Sequence, residues 1–124
     1  MSTNTMIRQF ETGATRDTDL GKPDYEGFLS PAALEYYGRY MHKHRVQPDG
    51  NLRDSDNWQK GIPLPQYMKS LLRHVMNLWL RHRSYDVTPA SDRDPQNIKE
   101  DLAAIIFNAQ GYLHEIIKRE REMF

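Results

Sequence analysis

The chain has 124 residues, 38% of them apolar, with seventeen Lys and Arg set against seventeen Asp and Glu. That length holds one domain, residues 1–124, with a modest core, and a mean hydropathy of -0.83 makes a core completed by a second copy, a homo-oligomer, the expectation. Zero formal charge provides no field to gather DNA, RNA or anionic lipid, the absence of cysteine removes disulfides and thiolate chemistry, and no apolar run reaches membrane-spanning length.

The first element is an arm, residues 1–29, with neither helical nor alternating period and with Gly13, Gly21, Pro23 and Gly27 as punctuation. It begins MSTNTMIRQF, which lacks the apolar stretch of a signal peptide, so a cytoplasmic location is expected. Ser30-Pro31 then reads as N-cap and first helical residue, and Ala33, Leu34, Tyr37, Tyr40 and Met41 share one face of a first helix to about His44. Residues 45–64 are a long polar loop containing Pro48-Asp49-Gly50 and Trp58. A second helix opens at Pro65 and carries Met68, Leu71, Leu72, Val75 and Trp79 at three- and four-residue steps, widened by Met76 and Leu80. After another polar loop, 84–97, a third helix starts at Asp94-Pro95 or Asn97, with the apolar arc Leu102, Ile105, Ile106, Ala109, Leu113, Ile116 and Ile117. The expected fold is therefore all-α: three principal helices, nearly antiparallel, with long polar loops and an irregular arm, the bundle completed by oligomerisation.

Beside the apolar arc of the third helix runs a strip of polar and small residues, Asp101, Ala104, Asn108, Gly111 and Glu115. Such a strip suits a pocket wall, and equally a close helix crossing with a wet seam. Asn97 and Glu100 have capping-box spacing. The first helix offers Glu35, Gly38 and His42 in a similar strip, and the second presents Ser70, Arg73, His74, Asn77 and Arg81 opposite its apolar stripe. That face is solvated unless the arm or the 45–64 loop folds over it. Trp58 can stack on a base or pack down on a helix, while Lys60, Arg16 and Lys22 can meet phosphates. No P-loop, dinucleotide fingerprint, HExxH or His-Asp dipeptide is present.

Four stretches together, TGATRDTDLGKPDYEGFLSP, YMHKHRVQPDG, DNWQKGIPLPQYMKSLLRH and EDLAAIIFNAQGYLHE, resemble the phage proteins classed with the N-terminal domain of dATP/dGTP diphosphohydrolase. The most specific pieces are Arg16-Asp17 with Gly21-Lys22-Pro23, Asn57-Trp58 with Lys60-Gly61, Arg73-His74, and Asn108. The resemblance implies metal-dependent hydrolysis of purine deoxynucleoside triphosphates to monophosphate and pyrophosphate in phage nucleotide metabolism, in the host cytoplasm if the chain is phage-encoded. In that reading Glu35 and Asp101, with Glu115, ligate Mg²⁺ or Mn²⁺; Arg16, Lys22, Lys60 and Arg73 hold phosphates; and Asn57, Trp58, His74, Asn77 and Asn108 complete the ligand site. MazG-type enzymes, however, carry ExxE and ExxD, and here no Glu is followed three residues later by Glu or Asp. The alternative is a non-catalytic protein of the same fold that sequesters a nucleotide or a nucleotide-derived defence signal. A purely structural helical protein explains the stripes but gives no role to the arm or to Asn57-Trp58-Gln59-Lys60-Gly61.

Overall fold

A computed structural model describes residues 7–85 and 95–122. Most of these residues are helical, in elements ordered β1 (Ile7–Gln9), β2 (Thr15–Asp17), α1 (Tyr25–Phe28), α2 (Pro31–Lys43), α3 (Leu64–Tyr85) and α4 (Pro95–Glu122), with one 3₁₀ turn at Asn57–Lys60. Contacts divide the chain into two compact units, Met1–Pro31 and Ala32–Phe124. No helix among the described residues is long and apolar enough to cross a membrane.

The N-terminal unit corrects the all-α expectation, because part of the arm is regular. β1 and β2 pair antiparallel with Arg8 opposite Arg16, and the turn is closed by Phe10 N–H donating to Ala14 O (2.8 Å) and Gly13 N–H to Phe10 O (2.8 Å). Arg8 locks the hairpin: its Nε donates to Asp17 O (3.0 Å) and a terminal nitrogen pairs with Asp19 (3.3 Å). Strands of three residues, IRQ and TRD, are too short and too polar to show an alternating period. Asp24 then caps the single turn α1, its Oδ1 accepting from Gly27 N–H (3.0 Å).

In the second unit the three expected helices form at the expected places. α2 starts at Pro31, α3 at Leu64 and α4 at Pro95, while the loop at 86–94 lies outside the described residues. Basic residues close each helix where the dipole favours cations: His42 and Lys43, His82 and Arg83, Arg119 and Arg121. Because α4 is already helical at Asn97, the capping-box reading of Glu100 gives way to an ion pair with Lys43 of α2.

α3 and α4 pack as an antiparallel hairpin, since Tyr67, Ser70 and His74 meet Gly111, Asn108 and Asp101 in reverse order. The faces they bury are not the apolar stripes. On α4 the buried residues are Asp101, Ala103, Ala104, Asn108, Gly111 and Glu115, which include the whole polar and small strip. Gly111 is what lets the helices approach: a Cβ there would overlap the Tyr67 ring, which is itself fully buried. The stripe residues Met68, Leu72, Val75, Met76 and Trp79 of α3 are exposed, as are Leu102, Ile106, Leu113, Ile116 and Ile117 of α4.

Candidate functional site

The residues between α2 and α3 are held by local geometry rather than by regular structure. Val46 and Leu52 form an isolated bridge around Gln47–Asn51, with Gln47 N–H donating to Asn51 O (2.9 Å) and Gly50, at a φ of 86°, closing the turn. Asp49 accepts from the Asn51 amide N–H (2.9 Å). This small hairpin sets Arg45 beside Arg53: Arg53 N–H donates to Arg45 O (2.8 Å), and Arg45 Nε donates to Arg53 O (2.7 Å). The 3₁₀ turn that follows brings Trp58 edge-on to His114 (4.8 Å between centroids) and Phe107 (6.3 Å) of α4. Trp58 therefore packs down on a helix while keeping one side toward open space.

These pieces enclose a cavity of about 490 Å³. That volume lies within the roughly 300 to 1,000 Å³ of small-molecule and cofactor sites. Its walls carry three kinds of chemistry. Arg45, Arg53, His42 and His44 supply cationic or protonatable nitrogen; Trp58, Phe107 and Tyr40 supply aromatic surface; Ser70 and Asn108 supply directed hydrogen-bonding groups. Asn108 is 4% exposed, and its amide donates both to Ala104 O (2.8 Å) and to Ser70 Oγ (3.2 Å). With both N–H groups committed, its Oδ1 is the acceptor left for a ligand donor.

His74 also lines the cavity, and behind it sits Asp101, 6% exposed. His74 Nδ1 is 3.2 Å from Asp101 Oδ1, and Arg81 Nε is 2.9 Å from Asp101 Oδ2, an ion pair without hydrogen-bond alignment. Asp101 thus orients His74 and leaves Nε2 as the ring nitrogen available to the cavity. His44 stacks on Tyr40 with centroids 4.4 Å apart. Burial lowers the His44 pKa from its ordinary 6.5, and the neighbouring charges of Lys43, Arg53 and His74 push the same way against the opposing pull of Glu100. The Tyr40 hydroxyl is pushed up, first by burial and then by the Glu100 carboxylate.

Of the ligand-site residues expected from the sequence, Asn57, Trp58, His74 and Asn108 line the cavity together, joined by Gly38, His42, Ser70 and Ala104 of the polar and small strips. Lys60 ends the 3₁₀ turn and is exposed, and Arg73 and Asn77 are exposed on α3, none of them among the lining residues. Arg16 on β2 and Lys22 in the turn closed by Lys22 N–H to Asp19 O (2.9 Å) belong to the N-terminal unit and are exposed. The three carboxylates expected to share a metal stand apart. Glu35 is exposed and pairs with Arg39 (3.0 Å), Asp101 is engaged by His74 and Arg81, and Glu115 is buried next to Tyr67, where its charge helps burial raise the phenol pKa. Fourteen residues of helix place Asp101 and Glu115 about 21 Å apart along α4. Within one chain these side chains do not fit a common Mg²⁺ or Mn²⁺, and no three acidic or histidine groups among the described residues converge as a metal set.

Sequence reading missed Arg45, Arg53, His44 and Phe107. The signal for the arginines was present: in RVQPDGNLR they are mirror-related about Pro-Asp-Gly, the pattern of a short hairpin that sets its two ends side by side. Comparison with models of protein families, with curated proteins and with solved structures gives no match. The functional reading therefore rests on the cavity.

Proposed function

We propose that the cavity between α2, the 45–62 loop and the α3–α4 hairpin binds a nucleotide, and that the protein holds this ligand without cleaving it. The observation that carries the reading is the meeting in one cavity of Arg45 and Arg53 with Trp58, Phe107 and the fixed Asn108 amide. Two guanidinium groups at a loop suit phosphate oxygens, which accept charge-assisted hydrogen bonds in pairs. The aromatic wall suits a base, and Asn108 Oδ1 with the Ser70 hydroxyl offers an acceptor and a donor to its edge. The family resemblance contributes the ligand class, a purine deoxynucleoside phosphate, and a homo-oligomer in the cytoplasm is part of the same reading. The scattered carboxylates favour retention over metal-dependent hydrolysis.

Hydrolysis to monophosphate and pyrophosphate is the second reading, favoured by the His74–Asp101 pair at the cavity wall, which resembles an oriented general base. No step through a metal follows from the residues present.

Calorimetric titration of Arg53→Ala with a nucleoside and its triphosphate tests the phosphate assignment. Loss of charge-assisted hydrogen bonds of about 1.5 to 3 kcal/mol weakens the triphosphate roughly 10- to 100-fold while the nucleoside is unaffected. Equal affinity of wild type and variant for the triphosphate contradicts the assignment.

A further inference from the structure

The apolar stripes that the α3–α4 seam leaves outside lie on one side of the hairpin. At about 100° per residue from Tyr67, which faces α4, the residues Val75, Met68, Trp79, Leu72 and Met76 lie roughly 80 to 180° round α3. From Asp101, which faces α3, the residues Ile116, Leu102, Leu113, Ile106 and Ile117 lie roughly 60 to 160° round α4 in the same sense. Rotation in one sense on two antiparallel helices leads to one side of the pair, so the two stripes are continuous. Ser70 and Phe107 lie in the opposite sense, toward the cavity. The hairpin therefore has a ligand side, covered by α2 and the loop, and a bare apolar side.

We propose that the bare side is the docking surface for a second copy of the chain, forming a four-helix bundle with one cavity per chain on its outer faces. Its area meets the requirement. From their fractional exposures, 37% to 59%, the ten stripe residues leave roughly 900 Å² open, against the roughly 800 Å² per partner that a stable interface buries. The interior of one chain argues for a partner that is always present. Among the described residues the fully buried apolar side chains are Tyr67, Ala103 and Ala104, and the rest of the buried seam is largely polar. A hairpin whose apolar stripes lie outside its seam gains its core by association, and only another copy accompanies every chain that folds. Zero formal charge removes net repulsion between identical copies.

The test combines mass with protection. Light scattering is expected to give twice the 14.6 kDa chain mass or a higher even multiple. The sequence has no cysteine, so a single Ala109→Cys, exposed in the protomer at the middle of the α4 stripe, reports on the face directly. Its reaction with a maleimide in the native protein is expected to be at least tenfold slower than that of Gln66→Cys, which is exposed on the other flank of α3. A monomeric mass overturns the proposal, and so does equal reactivity of the two thiols, whatever the mass.

Discussion

His44 shows how one residue links the cavity to pH. In the folded chain its imidazole resists protonation because it is partly buried near Lys43, Arg53 and His74, with Glu100 alone pulling the other way. The group therefore binds fewer protons folded than unfolded between its lowered pKa and the ordinary 6.5, and stability falls as pH drops through that window and levels off below it. In the proposed complex a phosphate at Arg45 and Arg53 would reverse the local preference, since it would favour the imidazolium. Nucleotide affinity should then rise as pH falls from neutral toward 6, with proton uptake on binding; His44→Gln should keep only the dependence that the phosphate itself contributes. Calorimetry in two buffers of different ionisation enthalpy measures this. Identical proton uptake in wild type and His44→Gln would remove His44 from the site. Asn108 was legible at this scale because an amide among small residues on a helix stands out, whereas Arg45 and Arg53 were hidden in a loop whose turn, not its composition, brings them together.

At the scale of elements, periodicity located α2, α3 and α4, and the close crossing along the polar and small strip of α4 was one of the two readings of that strip; the α3 face with Ser70, His74 and Arg81, expected to be solvated, is what meets it. The apolar stripes of α3 and α4 are real, yet the seam within one chain is made by Tyr67, Ser70, His74 and Arg81 against Gly111, Asn108 and Asp101. A period of 3.6 says that a helix has an apolar face; it cannot say whether that face meets a neighbour in the same chain or in another. The arm's hairpin escaped for a different reason: three-residue strands are below the length at which alternation can be read. The seam makes Asp101 a structural charge. Asp101→Asn keeps the shape but removes the anion facing Arg81 and His74, and should lower the free energy of unfolding by about 1 to 3 kcal/mol in denaturant titration. A variant as stable as wild type would show that the Asp101 charge does not hold the seam.

The whole molecule divides its labour by side. The hairpin's polar seam fixes Asn108 and His74, the α2 and loop side closes a cavity over them, and the apolar side stays exposed among the described residues, where a second copy is proposed to dock. Nothing in the composition announced this division, because zero net charge and low hydropathy average over faces that differ sharply. The claim that this division serves ligand retention is tested most directly by a mass balance. The purified protein is incubated with a mixed nucleotide pool and Mg²⁺, or with EDTA, then filtered, and the nucleotides are quantified before and after heat denaturation. Retention predicts that one nucleotide disappears from the filtrate in both conditions and returns chemically unchanged on denaturation. Release of a monophosphate with pyrophosphate, or a filtrate from which nothing is missing, would contradict it.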